Sequence, residues 1–523
     1  MNKLKNAVKN IELPIIIVPT TIVLALFITF MTLPKESTAI VTTIRSILSN
    51  EFGIYYLLLG LGVFLLTIGI AFSKFGKIKL GNTEKPLYSN FKWGAMIFTS
   101  TLAADVLFYS MSEWAMYANE SHVKEMGSIQ EWASAYPLFH WGPIAWSFYI
   151  VLAVAFGFMI HIRGRRNQRF SEACRPLFGD KIDGLLGKVI DIVCVVALIS
   201  GTATTFSVTT PLLSEGISRV TGLPNSTGLV IMILALIAVT YTITVLFGIK
   251  GISKLASFCV YLFFALLVYV LVGGGQIVYI LETGVSGIGN VVQNFFHLAT
   301  YTDPLRENSF PQNWTMYYWA YWMAWCVATP FFIATISKGR SIKNVILGGY
   351  CCGLSGTFLS FIVLGNFGLG QQMENGTGLA DTIYNVDSSI NYSAILDTFN
   401  SLPWPAIGII LLVISMIAFY STTFDTLTLV VSNYSYKTIR SEEENGKFMR
   451  VFWAVLFILF PIALIFSDGT LANLQSVSII AAFPIGIIII LVIVSFFKDA
   501  NKFLKESGYK QNYITVKENK QQR

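Results

Sequence analysis

The chain has 523 residues, of which 54% are hydrophobic and only 12% are charged, and its mean hydropathy is +0.63. An ordinary water-soluble protein carries about twice this share of charged residues, so the composition predicts an integral membrane protein. The formal net charge of +7 does not indicate a nucleic-acid ligand, because the basic residues are spread over several loops between apolar stretches.

Apolar stretches long enough to cross a bilayer recur along the whole chain. The first follows Lys3, Lys5 and Lys9, as in a signal peptide, but it is too long for a signal core and no small-residue cleavage site closes it. We predict twelve spans, at about residues 13–32, 54–73, 93–117, 139–161, 189–212, 228–248, 256–281, 315–336, 345–366, 403–431, 451–466 and 471–497. The transmembrane domain is then 13–497, between a short N-terminus (1–12) and a basic tail (498–523).

Lysine and arginine are concentrated in alternate loops. Nearly all of the 36 lie before the first span, in the even-numbered loops or after the last span, whereas the loop at 367–402 has none. Because positive residues favour the cytoplasmic side, we predict a multi-pass protein of the cell membrane with both termini in the cytoplasm. The basic run at 163–169 is then typical of contact with anionic lipid, and no nucleic-acid partner is expected.

No catalytic or metal-binding motif stands out. The six cysteines lie in spans or near the cytoplasmic loops without ligand spacing, and the four histidines do not converge on a motif. We therefore predict that the protein is not an enzyme and needs no cofactor beyond a coupling ion.

Two acids lie in the third span, Asp105 deep inside it and Glu113 near its outer end. An intramembrane carboxylate costs several kcal/mol unless it is paired, hydrated or protonated, so the default interpretation of Asp105 is functional. An ion pair or a hydrogen bond to a neighbouring helix is the structural alternative. We assign no transport role to Glu113.

Spans 4 and 8 each carry a stripe of aromatic residues, over arcs of roughly 140° and 100° on a helix. The stripes consist of Trp141, Trp146 and Tyr149 in span 4, and of Trp314, Tyr318, Tyr321, Trp322 and Trp325 in span 8. Rings that line a desolvated site attract an ammonium ion through their negative faces. Trp141 lies close to the end of its span, where an interface anchor is the ordinary role of tryptophan, so the pattern alone leaves both roles open.

Long motifs resemble those of the betaine/choline/carnitine transporter family. They are WTMYYWAYWMAW followed by IATISKGRSIK in span 8, HWGPIAWSFY in span 4, GTATTFS in span 5, STTFDT in span 10 and ANLQSVSIIAAFP in span 12. The resemblance covers about residues 10 to 497. It implies an all-α, LeuT-like fold in which two helices precede two inverted repeats, here spans 3 to 7 and 8 to 12. The substrate site of such folds lies near the bilayer midplane, where the first helix of each repeat is broken or bent.

The resemblance also implies site residues. Tyr321, Trp322 and Trp325 match the central aromatic box of the family, and the three aromatic residues of span 4 match positions in the site or along its access path. These are Trp141, Trp146 and Tyr149.

In span 10, Phe419, Thr422 and Thr423 match a stretch that sodium-coupled relatives use for ion coupling, with the two hydroxyls as Na⁺ ligands. The alternative is that these hydroxyls bond to their own helix backbone or join helices. Asp425, which follows them, is better explained by a structural bond between helices.

Three departures from the family pattern affect the predicted site. Where relatives carry a glycine-rich stretch in span 3, this chain reads TLAAD, ending at Asp105. Proton-coupled choline transporters of the family have a similar Asp there, which makes Asp105 a candidate H⁺ carrier, a counter-ion for a cationic substrate, or both. Tyr321 replaces a usual tryptophan, and the proline of span 8 is moved to Pro330, which displaces the expected helix break by about one turn.

The predicted function is secondary active transport of a quaternary ammonium compound, with choline or glycine betaine favoured, by alternating access and in symport with H⁺ or Na⁺. An ion-independent exchanger of the carnitine type and a non-transporting sensor or channel on the same fold are the alternatives. The resemblance also suggests a homotrimer.

Overall fold

The computed structural model describes residues 10–100, 102–247, 249–376, 378–385, 389–437, 447–466 and 471–521. Within these ranges the chain is helical apart from its connections, and its β-type pairing is limited to isolated bridges, such as the one between Lys79 and Ser341. The predicted all-α class is therefore confirmed for the described part of the chain.

We number the main helices α1 to α18 in chain order. The first nine are α1 Leu13–Thr32, α2 Pro34–Asn50, α3 Gly53–Phe72, α4 Asn90–Thr99, α5 Ala104–Asn119, α6 Ile129–His140, α7 Pro143–His161, α8 Leu185–Thr221 and α9 Thr227–Phe247. The others are α10 Ile249–Gly273, α11 Ile277–Thr300, α12 Met316–Trp325, α13 Thr329–Ile336, α14 Ile342–Ser360, α15 Asn366–Asn375, α16 Pro405–Tyr434, α17 Lys447–Phe466 and α18 Leu471–Gln521. Short turns of helix occur at Lys74–Lys77, Ser121–Met126, Phe170–Ala173, Arg175–Phe178, Gly179–Asp183, Pro311–Thr315, Phe361–Gly365, Leu379–Ile383, Tyr392–Asp397 and Thr398–Ser401.

Eight helical segments of the described chain are long and apolar enough to cross a membrane, and the number rises to eleven when each bent pair of helices counts as one span. The one predicted span missing from these eleven is the sixth (228–248), which falls on α9; within the described residues only Thr227–Thr240 of it qualifies, as a shorter apolar helix. The twelve-span layout and its inverted repeats therefore stay predictions, whereas a membrane protein with many helical spans is well supported. The last helix continues beyond the predicted end of its span at 497, to Gln521.

Two of the three bends lie in the spans where a break is expected. The α4–α5 pair is bent by 67° between Thr99 and Ala104. The span at 311–336, which contains α12 and α13, is bent by 57° between Trp325 and Thr329. In the second case α12 ends at Trp325 and Pro330 occupies the first turn of α13. Proline costs little there because its missing N–H has no helical partner in any case. The break therefore lies just before Pro330 rather than at it.

The third bend differs from the sequence-based boundary. We expect span 7 to continue to about residue 281, but α10 ends at Gly273 and α11 leaves it at 114°. Gly275 adopts φ +71°, a left-handed conformation that glycine accepts without strain and that ends a helix. α11 then packs along α6 and exposes an apolar edge that includes Val285 and Val292.

Arg340, in the connection between α13 and α14, ties these helices to α4. Its guanidinium donates to Asn90 Oδ1 at 2.8 Å and to the carbonyl of Tyr88 at 2.9 Å. The same group lies 4.2 Å from the ring centroid of Trp93, whose indole N–H donates to Ser337 Oγ at 3.0 Å. The shorter halves of the two bent spans are therefore joined at their far ends, although they are more than 200 residues apart in sequence.

We expect Arg340→Ala to lower the free energy of unfolding by about 3 kcal/mol, because a buried guanidinium loses charge-assisted hydrogen bonds and its stacking partner. Arg340→Lys should lose nearly as much, since an ammonium cannot stack on Trp93 and reach both acceptors. The measurement is the unfolding midpoint of purified protein in detergent. Arg166→Ala, at an exposed arginine, is the control. Equal midpoints for all variants would show that Arg340 does not stabilise the junction between α4 and α13.

Candidate binding site between the two bent spans

A cavity of about 420 Å³ lies between the bent span formed by α4 and α5 and the bent span formed by α12 and α13. It is lined by the ends of α4 and α5, by Trp141 and α7, by α12 and α13, and by α16, with Cys259 from α10 and Thr357 from α14. It extends from Asp105 and the aromatic residues towards Gln168 and Asn433. Because the charge pattern puts residue 168 in a cytoplasmic loop, the cavity points towards the predicted cytoplasmic side.

The three aromatic residues predicted for the box and the three predicted for the site or its access path all line this one cavity. They are Trp141, Trp146, Tyr149, Tyr321, Trp322 and Trp325. Trp322 lies at their centre, with its ring centroid 4.8 Å from that of Tyr149, 5.6 Å from Trp146 and 5.7 Å from Trp141. Trp141 is only 3% exposed, so it does not serve as an anchor at the membrane interface.

The other two members of the span 8 stripe are buried outside the cavity. Trp314 donates its indole N–H to Glu120 at 2.7 Å, and Tyr318 stacks on His140 with ring centroids 4.8 Å apart. Helical periodicity places residues on one face but does not say which part of that face meets a cavity, and the bend after Trp325 decides this here.

Three indole N–H groups in the cavity wall have no acceptor among the described protein atoms. They belong to Trp146, Trp322 and Trp325. Buried polar groups in folded proteins are normally hydrogen-bonded to protein, water or a ligand, so these three N–H groups are free to donate to water or to a ligand oxygen. The cavity therefore combines aromatic faces with N–H donors that can meet an oxygen of a small molecule.

Gly353 on α14 sets the position of Trp146. A Cβ atom at this glycine would lie 2.6 Å from the Trp146 ring, which is much closer than a normal contact. The ring is rigid and 1% exposed, so it can relieve the clash only by moving towards the cavity or by pushing the helices apart.

We expect Gly353→Ala to weaken binding of a quaternary ammonium ligand about tenfold, because the displaced ring distorts the box and overpacking costs about 1 to 3 kcal/mol. The measurement is equilibrium binding to purified protein. Gly62→Ala on α3 is the matched control, since a Cβ atom there meets nothing within 4 Å. Unchanged affinity in Gly353→Ala would contradict the role of this contact.

Asp105 begins α5 and faces the same cavity. Its side chain is 4% exposed, and its carboxylate accepts hydrogen bonds from the Tyr321 hydroxyl and from the backbone N–H of Val106 at 3.0 Å. The Tyr321 hydroxyl also contacts Thr205 on α8. No lysine, arginine or histidine of the described chain forms an ion pair with Asp105. The ion-pair alternative therefore fails, whereas a bond to a neighbouring helix is present.

The start of α5 also suits a negative charge. Asp105 occupies the first turn, where backbone N–H groups point along the helix axis without helical acceptors. The bend of the span thus places this carboxylate at the positive end of a helix dipole, which offsets part of the cost of burying it.

The span 10 residues separate into two groups. Thr422 and Thr423 line the cavity opposite Thr99 and Ser100 at the end of α4, whereas Phe419 does not line it and packs against Phe263. The Thr422 hydroxyl donates to the carbonyl of Phe419 at 2.9 Å, as expected for a hydroxyl that bonds to its own helix.

A donating hydroxyl still has lone pairs, and so does the carbonyl of Thr99 at the end of α4, which accepts one N–H, from Leu102 at 3.1 Å. This oxygen set fits Na⁺ in kind. The side chain of Asp425 lies outside the described residues.

Glu113, to which the sequence alone assigns no transport role, lies against Trp141 of the cavity wall. Its side chain is fully buried, and its carboxylate accepts hydrogen bonds from the Trp141 indole at 2.8 Å and from Tyr117. A carboxyl group inside an apolar span is costly to bury. This reasoning, applied above to Asp105, holds equally for Glu113 and predicts a role for it. Its contact with Trp141 across 28 residues could not be read from helical spacing.

Comparison with known sequences agrees with the geometry. The sequence model described as BCCT, betaine/carnitine/choline family transporter, matches residues 14–504. A probable glycine betaine transporter of Desulfitobacterium hafniense is 30% identical over 475 residues, which are 89% of this chain and 93% of the relative.

Two other relatives differ in what they are named for. A high-affinity choline transport protein of Escherichia coli is 29% identical over 88% of this chain and 68% of its own length. A glycine betaine transporter of Bacillus subtilis is 28% identical over 88% of this chain and 89% of its own length. Overall identity therefore does not separate choline from betaine.

Proposed function

This chain belongs to the betaine/carnitine/choline family of transporters, and we propose that it carries choline in preference to glycine betaine, in symport with H⁺ and by alternating access. As a member of this family it is a multi-pass membrane transporter and not an enzyme.

The observation that carries the proposal is that Asp105 is the sole carboxyl among the described residues that line the aromatic cavity. The aromatic faces of Tyr149, Trp322 and Trp325 attract the trimethylammonium group that choline and betaine share. Asp105 supplies a titratable acid beside it, joined to the box through Tyr321. A buried carboxyl of this kind is the usual means of coupling a membrane transporter to protons.

The charge of the cavity wall favours choline. No lysine, arginine or histidine appears among the described lining residues, so the carboxylate of betaine would meet neutral donors only. Ionised Asp105 would repel that carboxylate at low dielectric. The hydroxyl of choline carries no charge and needs just one or two hydrogen-bond partners, which the indole N–H groups of Trp146 and Trp322 can supply.

The deciding experiment is uptake of labelled choline and betaine into proteoliposomes under separately imposed H⁺ and Na⁺ gradients. We expect accumulation of choline under an inward H⁺ gradient and little response to Na⁺. Accumulation under Na⁺ alone would move the coupling role to Thr422 and Thr423. Uptake only into preloaded vesicles would identify an exchanger, and binding without concentrative or exchange flux would identify a sensor or channel.

The direction of the cavity gives this conformation a place in the cycle. We propose that the protein lies in the cell membrane with both termini in the cytoplasm, so that a cavity reaching Gln168 and Asn433 opens inward. A homotrimer is proposed from the family resemblance alone. Labelling of single cysteines introduced at 168 and at the exposed position 305, in a variant without the native cysteines, tests the orientation from each side of intact cells, and the mass of the protein in detergent tests the trimer.

A further inference from the structure

We infer that Glu113 is a positioning residue for substrate binding, because its carboxylate holds Trp141 as one wall of the ammonium site. The inference rests on the proposed function for the identity of the ligand. The contact between Glu113 and Trp141 is independent of the proposed function, since the structure shows it without any ligand.

Trp141 needs an anchor because of its place in the backbone. It stands between the end of α6 at His140 and the start of α7 at Pro143, so no helix continues through it. Its ring nevertheless packs against Trp322 and Phe361, with centroid distances of 5.7 and 5.2 Å. A side chain on a break between helices keeps such an orientation only if side-chain contacts fix it.

Glu113 supplies the polar contact. Oε2 accepts the Trp141 indole N–H at 2.8 Å, and Oε1 accepts the Tyr117 hydroxyl, which also contacts His140 Nδ1 at 2.5 Å. His140 in turn contacts Thr315 Oγ1 at 3.0 Å, at the start of the second bent span. Glu113, Tyr117 and His140 are all fully buried. The carboxylate therefore connects α5, the α6–α7 junction and the entry to α12.

No strong basic partner competes with Trp141 for the carboxyl group of Glu113 among the described residues. His140 is the nearest basic group among the described residues, with Nδ1 at 3.8 Å from Oε1, and no lysine or arginine forms an ion pair with it there. A buried hydrogen bond of this kind contributes about 1 kcal/mol, and an indole N–H left without an acceptor costs about 1 to 3 kcal/mol.

A second pair in the same region shows what a purely structural bond would look like. Glu120 accepts the Trp314 indole N–H at 2.7 Å, so the chemistry and the geometry match those of Glu113 and Trp141. Trp314 does not line the cavity, whereas Trp141 does. Glu120→Gln is therefore the matched control for Glu113→Gln.

The test compares choline binding and transport in Glu113→Ala, Glu113→Gln, Trp141→Phe, the double variant Glu113→Ala/Trp141→Phe, and Glu120→Gln. We expect Glu113→Ala to raise the Kd and KM for choline about tenfold with a smaller change in Vmax, the size of one lost buried hydrogen bond. Glu113→Gln, which keeps an acceptor without charge, should recover most of the affinity. Glu120→Gln should bind like the wild type.

The double variant should bind no more weakly than Trp141→Phe alone, because a phenylalanine has no N–H for Glu113 to hold. Additive losses, or unchanged affinity in Glu113→Ala, would overturn the inference.

A measurement without substrate separates this inference from the proposed function. The indole N–H hydrogen-bond band in the ultraviolet resonance Raman spectrum, assigned to Trp141 by difference from Trp141→Phe, should shift in Glu113→Ala. An unshifted band would overturn the positioning role even if choline is transported. A shifted band in a protein that binds neither choline nor betaine would overturn the proposed substrates and leave the contact standing.

Discussion

Trp322→Ala will raise the Kd and the KM for a quaternary ammonium substrate by at least about thirtyfold, the equivalent of about 2 kcal/mol for a desolvated cation–π contact. Trp322 is the residue whose loss should cost most, because three other rings of the box pack around it at 4.8 to 5.7 Å. Its removal takes away one aromatic face and also lets its neighbours move. Trp322→Phe, which keeps a smaller face, should recover part of the affinity.

The control for this effect is the neighbouring tryptophan on the same helix. Trp319 is fully buried like Trp322, but it packs against Phe139 and does not line the cavity. Trp319→Ala should therefore reduce stability without a comparable loss of affinity in the protein that remains folded. Equal losses of affinity in the two variants, or retained affinity in Trp322→Ala, would contradict the aromatic site.

Asp105→Asn will abolish accumulation of choline driven by an H⁺ gradient while exchange of internal for external choline continues. The amide is close in shape to the carboxylate and can still accept from Tyr321, but it cannot bind or release a proton in this pH range. Binding and alternating access therefore survive, whereas coupling is lost. The same variant should also narrow the preference for choline over betaine, because the charge that repels a carboxylate is gone.

Uptake and counterflow on the same proteoliposomes separate these outcomes. Accumulation should fall to the equilibrium level under an imposed H⁺ gradient, while the counterflow signal persists. Tyr321→Phe, which keeps the ring and removes the hydroxyl, should retain coupling with an altered pH dependence. Proton-driven accumulation by Asp105→Asn at the level of the wild type would exclude Asp105 as the H⁺ carrier.

Much of the fold follows from the cost of leaving polar backbone in lipid. That cost requires long apolar helices, which is why their positions can be read from hydropathy, and most predicted spans coincide with helices to within a few residues. The turn at Gly273 to Gly275 shows the limit. The apolar sequence continues into α11, and only the run of glycines signals that the helix changes direction.

The site was predictable where one helix face carries it and not where distant helices meet. Periodicity put Tyr321, Trp322 and Trp325 on one helix face, and all three line the cavity, but it put Trp314 and Tyr318 on that face as well, and those two do not. It could not show that Phe419 packs away from the cavity beside Thr422, or that Tyr321 reaches both Asp105 and Thr205. Those contacts depend on the angles between helices, which no local pattern encodes.

The junction at Arg340 limits how the cavity can close. Since Asn90, Trp93 and Ser337 are held to one guanidinium or to each other, α4 and α13 cannot tilt independently without breaking buried hydrogen bonds. We therefore expect α4 and α13 to move as one rigid body. Closing the path towards Gln168 and Asn433 then requires α4 and α13 to move together, so partly closed states with one half-helix in place and the other displaced should be sparsely populated.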